Sequence, residues 1–153
     1  MSISGKLFAT TGEYQGTNSL WLSPEEPAQE SRATATTGMA GQGRYFILRY
    51  TWEWEGKPQD GLILLGQGDK PDVIKAVWTD SWHMQNKFMH MKGQVLPENS
   101  ISLLGNYAAP PGLDWGWRMV LETADEDHIK ILMFNIPPGG EAELAVETSL
   151  VRI

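Results

Sequence analysis

The chain has 153 residues, which suits a single domain, residues 1–153, with a core large enough to fold without disulfides. Its cysteine count of 0 excludes a disulfide framework, a thiolate nucleophile and a cysteine metal site. The formal net charge is -7 and the 12 lysines and arginines form no basic run, so neither nucleic acid nor an anionic membrane surface is expected as a partner.

The first residues carry no sign of a targeting or membrane segment. Residues 1–10 lack a basic stretch followed by an apolar one, which a secretory signal requires. No apolar run anywhere approaches the roughly 18–20 residues needed to cross a bilayer. We therefore expect a soluble, cytoplasmic protein.

From Gly12 onward the chain is a succession of short alternating segments separated by turns. Residues rich in glycine, proline and acidic side chains mark the turns, at 23–27, 38–43, 55–58, 68–72, 97–99, 110–112, 125–127 and 137–140. About ten candidate strands lie between them. A sheet of that many strands must close or split into two layers, because an open edge invites aggregation.

Alternation within the strands separates charged residues from aromatic ones. In residues 45–55, Arg49 and Glu53 fall on one face while Trp52 and Trp54 fall on the other. Three later strands alternate in the same way, and most of the 7 tryptophans share the uncharged face. We therefore expect a charged outer face and an aromatic inner face.

Two segments do not alternate. Residues 62–65 and residues 132–136 are apolar on both faces, whereas a solvated outer face should be polar. Either the N-terminal segment covers these strands, or they contact another subunit.

The strongest turn signal in the second half of the chain is Pro110-Pro111-Gly112. Proline has no N–H and a fixed φ, so this stretch forbids both a helix and a central strand and predicts a turn. We expect Gly112 to adopt a backbone conformation that is unfavourable for other residues.

The run that contains this turn, Gly105 to Arg118 with Asp114-Trp115-Gly116-Trp117-Arg118 at its end, resembles the signature of a bacterial family of lipocalin-like, or calycin, β-barrels of unknown function. Matching pieces elsewhere are Gly12…Gly16-Thr17-Asn18, Trp78-Thr79-Asp80-Ser81-Trp82, and Asn135-Ile136…Pro138…Gly140 followed by Ala145-Val146-Glu147. The resemblance implies a closed antiparallel up-and-down barrel of about ten strands, similar to lipocalins and fatty-acid-binding proteins, with a cavity open at one end. It implies no activity.

Inner-face residues with aromatic, adaptable or polar side chains form the predicted ligand-binding set. They are Tyr50, Trp52, Trp54, Trp78, Asp80, Trp82, Trp115, Trp117, Met119, Met133 and Asn135. Tryptophan and methionine suit a flat or long apolar ligand, and Asp80 or Asn135 would orient a polar group on it. The predicted function is therefore carriage or sensing of a small apolar or aromatic ligand, without catalysis.

Three alternatives stay open. Asp80 and His83 are close enough in sequence to act as acid and base in a small barrel enzyme. Alternatively Asp80 starts a turn toward His83 and is solvated at the rim. In the third alternative, the tryptophans fill a solid core and the protein acts through oligomeric contacts, such as a homodimer built on the apolar outer strands.

No cofactor is expected. The 3 histidines, His83, His90 and His128, form no H-x-H or H-E-x-x-H cluster, which argues against zinc. His83 and His90 are the candidates for single-histidine haem ligation, as in the related haem-binding nitrobindin-type barrels. Because the histidines are scattered and the net charge is negative, we expect no stoichiometric haem binding.

Overall fold

The computed structural model describes residue 7 and residues 9–153. They form ten strands: β1 (Gly12–Leu20), β2 (Gln29–Ala40), β3 (Tyr45–Trp54), β4 (Lys57–Gln67), β5 (Val73–Asp80), β6 (Met89–Val95), β7 (Ser100–Tyr107), β8 (Trp115–Asp125), β9 (His128–Ile136) and β10 (Glu143–Arg152). A 3-10 turn at Pro97–Asn99 precedes β7. Every strand pairs antiparallel with its sequence neighbours, and β10 pairs with β1. The predicted closed up-and-down barrel is thereby confirmed.

Alternation along each strand builds the interior. Phe46, Leu48, Tyr50 and Trp52 of β3 point inward and are buried, while Arg49 between them is exposed. The other strands repeat this pattern, so that one continuous apolar cluster fills the barrel. Burial of such side chains, at roughly 25 cal/mol per Å² of apolar surface, is the main source of stability.

An up-and-down barrel has two ends with different hairpins. The N-terminal segment and the end of β10 meet the β8–β9 hairpin at one end, which we call the plugged end. The hairpins β1–β2, β3–β4, β5–β6, β7–β8 and β9–β10 lie at the other, which we call the aromatic end because most of the tryptophans lie there.

Residues 7 and 9–11 close the plugged end. Leu7 is buried in the apolar cluster, and the carbonyl of Thr10 accepts hydrogen bonds from the hydroxyls of Tyr14 (2.6 Å) and Thr37. The Tyr14 hydroxyl also lies 2.8 Å from the carbonyl oxygen of Glu126 in the β8–β9 turn. Side chains from the strands thus satisfy the main-chain groups of the plug.

Arg152, near the C-terminus, fastens the same segment from outside. Its guanidinium donates to the carbonyls of Thr11 (2.8 Å), Ala9 (3.1 Å) and Glu126 (2.7 Å), and its Nε donates to the Asp127 carboxylate (3.2 Å). The planar fork of five N–H donors suits this convergence of acceptors. The two ends of the chain are therefore tied together at the plugged end.

The non-alternating segments lie on the barrel wall with their second apolar face outward. Leu62 and Leu64 of β4, and Leu132 and Phe134 of β9, are half-buried there. Leu7 packs into the core rather than over these strands, and residues 1–6 and 8 lie outside the described part of the chain. Contact with another subunit through these strands stays a prediction.

The Pro110-Pro111-Gly112 segment forms the expected turn between β7 and β8, in which the Gly112 N–H donates to the Ala109 carbonyl (3.0 Å). The expectation for Gly112 itself is wrong. Its φ lies outside the left-handed region, and an added Cβ would meet only the Ala109 carbonyl oxygen, at 3.5 Å. Nothing at this position demands glycine.

Over residue 7 and residues 9–153, no helix has the length and apolar character required to cross a membrane.

Candidate functional site

The site includes three residues that lie side by side on neighbouring strands. Tyr50 of β3 pairs with Gly61 of β4, and Gly61 pairs with Asp80 of β5. An added Cβ at Gly61 would overlap the Tyr50 ring and hydroxyl, so the missing side chain creates the space through which Tyr50 reaches across β4. Its hydroxyl donates to Asp80 Oδ2 at 2.6 Å.

Asp80 is 1% exposed, and its carboxylate accepts four hydrogen bonds. Oδ2 accepts from the Tyr50 hydroxyl and from Trp52 Nε1 (3.1 Å), and Oδ1 accepts from the main-chain N–H groups of Trp82 and His83 (both 2.8 Å). Such bonds offset the several kcal/mol that a buried carboxylate costs. The alternative of a solvated Asp80 at the rim is wrong: Asp80 does start a turn, but inside the barrel.

A further hydrogen bond extends this network to Trp78, whose Nε1 donates to the Tyr50 hydroxyl at 2.9 Å. Burial first, and then the charge of Asp80, raises the pKa of Tyr50 well above the ordinary value of a tyrosine. Tyr50 therefore stays protonated and keeps donating to Asp80. One buried carboxylate thus orients Trp52 directly and Trp78 through Tyr50.

The loop between β5 and β6 folds back over the barrel because Asp80 caps it. In addition to the side-chain bonds, the Asp80 carbonyl accepts from the N–H groups of Met84 (2.9 Å) and Gln85 (3.0 Å). Thr79 Oγ1 donates to the Lys87 carbonyl at 2.7 Å and secures the far end of the loop. The loop carries Trp82 and His83 to the aromatic end.

His83 lies at the centre of a cluster of four tryptophans. Its ring centroid is 4.8 Å from that of Trp82, 5.5 Å from Trp117, 5.6 Å from Trp52 and 5.7 Å from Trp78. Trp78 and Trp117 stack on each other with centroids 5.5 Å apart and planes 7° apart. These separations are those of favourable aromatic pairs.

The imidazole of His83 is held neutral by its surroundings. Burial lowers the pKa of His83 below the ordinary histidine value, and the charge of Asp80 opposes this only in part. Asp80 binds the main-chain N–H of His83, and no hydrogen bond joins the carboxylate to the imidazole ring. The two side chains therefore do not form a hydrogen-bonded acid–base pair in this structure.

A cavity of about 780 Å³ opens beside this cluster at the aromatic end. Its lining is mostly aromatic and sulfur-containing, with a few polar groups at the rim: Trp78, Trp82, His83, Met84, Gln85, Lys87, Phe88, Met89, His90, Asn106, Tyr107, Ala108 and Trp117. The volume lies within the roughly 300–1,000 Å³ typical of small-molecule sites.

One side of the cavity is bordered by an irregular seam between β6 and β7. Their paired residues run from Val95–Ile101 to Lys92–Leu104 and stop short of the aromatic end. His90 and Asn106, on the two sides of the seam, border both the cavity and a groove of about 550 Å³ on the outer wall. Beside the cavity, β6 and β7 are therefore not paired, whereas β6 stays paired with β5 and β7 with β8.

Trp117 carries a buried donor with no acceptor. The residue is 7% exposed, and its Nε1 has no hydrogen-bond partner among the residues that the structure describes. Leaving such a donor unpaired costs about 1–3 kcal/mol. This N–H is enclosed behind the cavity surface, and its hydrogen-bonding capacity is unused.

The structure separates the predicted ligand-binding residues into three groups. Trp78, Trp82 and Trp117 line the cavity. Tyr50, Trp52, Trp54 and Asp80 lie behind it and support it, Trp54 through a contact of 5.1 Å between its ring centroid and that of Trp82. Met119 and Met133 are buried in the filled core, Asn135 accepts a hydrogen bond from Tyr107 (2.6 Å), and Trp115 is half-buried outside the cavity lining.

Sequence reasoning omitted several lining residues. Tyr107 continues the inward alternation of Ile101 and Leu103 on β7, so the pattern could have identified it. The sequence suggests His83 as an acid–base partner or a haem ligand but not as a lining residue, because a loop residue has no periodicity that predicts its direction. Lys87 and Asn106, which are exposed, gave no such signal.

Among residues 7 and 9–153, no group of three or more histidine, aspartate or glutamate residues is arranged to hold a metal ion.

The whole chain resembles a protein of known structure. The crystal structure of Rv2717c from M. tuberculosis superposes with a TM-score of 0.66 at 14% identity, covering 96% of this chain and 94% of that one. An identity this low shows a shared fold alone. No curated protein matches the chain in sequence. A family match covers residues 6–152, and the chain therefore belongs to the family described as Protein of unknown function (DUF1579).

Proposed function

We propose that the protein binds a small planar aromatic or apolar ligand in the cavity at the aromatic end, as a carrier or sensor. The observation that carries this proposal is the concentration of Trp78, Trp82, His83 and Trp117 around a cavity of about 780 Å³. Aromatic side chains are stabilised more by packing against one another than by facing an empty space. A cavity walled by them fits a ligand that presents a flat apolar surface.

The residues that line the cavity determine the free energy of such binding. Each ligand CH₂ equivalent removed from water contributes about 0.8 kcal/mol, and each aromatic contact adds about 0.5–1.5 kcal/mol. Met84 and Met89 line the same cavity and can adjust to different ring shapes, because their side chains are unbranched. The expected selectivity is therefore for shape and aromatic character.

The hydrogen-bond network behind the cavity supports the proposal. Asp80 holds Trp52, the loop residues Trp82 and His83, and, through Tyr50, Trp78 in one arrangement. A wall fixed in advance loses little side-chain entropy on binding, which favours affinity.

The test is a fluorescence titration with N-phenyl-1-naphthylamine, a neutral aromatic dye whose emission rises in apolar surroundings. We expect saturable binding by the wild-type protein. Trp82→Ala should weaken it about tenfold, since removing an aromatic wall costs about 1.4 kcal/mol. The matched control is Trp21→Ala, a half-buried tryptophan outside the lining, which should leave affinity unchanged within about twofold.

Two results would contradict the proposal. One is no saturable dye binding by a folded wild-type protein. The other is an equal loss of affinity in both variants, which would place the dye outside the cavity.

A further inference from the structure

The rim of the cavity has a charge opposite to that of the chain as a whole. The chain carries a formal charge of -7, yet the lining contains Lys87 and no aspartate or glutamate. The buried wall is aromatic, and Gln85, Lys87, His90 and Asn106 at its border are all exposed. Polarity therefore changes from apolar at the tryptophans to cationic and amide-rich at the solvent side.

Lys87 is held at this border by its main chain. Its N–H donates to the Met84 carbonyl at 3.0 Å, and its carbonyl accepts from Thr79 Oγ1 at 2.7 Å. No carboxylate in the described part of the chain forms an ion pair with its ammonium group, whereas Lys75 pairs with Asp69 on the outer wall. A lysine whose main chain is fixed, and whose ammonium group has no ion-pair partner among the described residues, thus borders the cavity.

We infer that the ligand is a planar aromatic molecule with one anionic group, bound with its rings among Trp78, Trp82 and Trp117 and its anion beside Lys87. This inference rests on the proposed function and narrows its ligand class. A second polar anchor at the rim fixes the orientation of a ligand that the aromatic wall alone would hold in several ways. A carboxylate or sulfonate needs no further charge, because the amide groups of Gln85 and Asn106 can donate to its remaining oxygens.

Two dyes that differ by a single anion test the inference. N-phenyl-1-naphthylamine is neutral, and 8-anilino-1-naphthalenesulfonate has the same ring system with an added sulfonate. Affinities for both are measured with the wild-type protein, with Lys87→Gln, and with Lys57→Gln. Lys57 is an exposed lysine at the same end of the barrel that does not line the cavity, so its variant controls for the change in net charge.

We expect Lys87→Gln to weaken binding of the sulfonate dye about two- to fivefold, the fold-change that corresponds to a solvent-exposed ion pair. Binding of the neutral dye should weaken less than that of the sulfonate dye in that variant, and Lys57→Gln should leave both affinities unchanged. The selective loss should shrink as salt is raised. The neutral dye should also displace the sulfonate dye, because both occupy one cavity.

The outcomes separate this inference from the function on which it rests. If the wild-type protein binds neither dye, the proposed function fails and the inference fails with it. If the neutral dye binds but Lys87→Gln affects both dyes equally, or Lys57→Gln has the same effect as Lys87→Gln, only the anionic ligand is rejected. A sulfonate dye that the neutral dye does not displace also rejects it.

Discussion

The two ends of this barrel are formed by the same strands, yet a chain segment closes one end and a cavity opens at the other. At the plugged end, the polar side chains of Tyr14, Thr37 and Arg152 bind main-chain carbonyls of a crossing segment. At the aromatic end, the polar side chains bind one another around Asp80, and the tryptophans beside them line a cavity.

The difference shows how a small barrel can combine stability with an open site. The segment that closes the plugged end needs hydrogen-bond donors for its main-chain carbonyls, and Arg152 and Tyr14 supply them. An open cavity needs a wall that keeps its shape without a segment to close it. The buried carboxylate of Asp80 stabilises that wall by accepting hydrogen bonds from four donors. We therefore expect changes at the plugged end to affect stability alone, and changes around Asp80 to affect stability and binding together.

The largest effect should come from Asp80→Ala. The substitution leaves the hydroxyl of Tyr50, the indole N–H of Trp52 and two loop N–H groups without an acceptor, which we expect to lower the free energy of unfolding by about 3–5 kcal/mol. Urea denaturation measures this loss, and dye titration should show weakened binding in the remaining folded protein. Unaltered binding in a destabilised variant would show that the network does not shape the cavity.

Arg152→Ala should be the next most damaging change, and it acts at the other end. The variant loses hydrogen bonds to Thr11, Ala9, Glu126 and Asp127, for an expected loss of about 2–4 kcal/mol in unfolding free energy. Affinity for N-phenyl-1-naphthylamine should stay within about twofold of the wild-type value. A large change in affinity would show that the two ends are coupled.

Gly61→Ala should cost about 1–3 kcal/mol, because the new methyl group overlaps the Tyr50 ring and displaces its hydroxyl from Asp80. The matched control is Gly112→Val, where φ lies outside the left-handed region and an added Cβ makes only an ordinary contact with the Ala109 carbonyl oxygen at 3.5 Å. We expect a change within about 0.5 kcal/mol there. Denaturation midpoints compare the two. Equal effects would show that the space above Gly61 is not what admits Tyr50.

The smallest effect concerns pH. Burial lowers the pKa of His83 in the folded protein, so between the folded value and the unfolded value of about 6.5 the unfolded chain binds more protons. The contribution of His83 is fully present above about pH 6.5 and is lost as the pH falls through that value toward the folded pKa, by at most about 1.4 kcal/mol per pH unit. Unfolding free energies from pH 7.5 to 5 should fall less steeply in His83→Gln. Parallel curves would contradict a buried neutral imidazole.

The sequence by itself determined the barrel and the composition of its inner face. Period-2 alternation is a local property of a strand, and so Tyr50, Trp52, Trp78 and Trp117 could be assigned to the interior before any contact was known. Turn residues at short intervals predicted the hairpins for the same local reason. The predicted inner positions of Met119 and Met133 are buried as well.

Only the tertiary structure decided which of those inner residues face a cavity. Whether space remains inside depends on the summed volume of side chains from all ten strands, and it remains beside Trp78 and Trp117 but not around Met119. The state of Asp80 was equally undecided, because the hydroxyl of Tyr50 and the indole of Trp52 lie 30 and 28 residues away and reach it only when the strands pair. His83 and Lys87 lie in a loop, where no periodicity constrains direction, and only the capping by Asp80 and Thr79 brings them to the cavity.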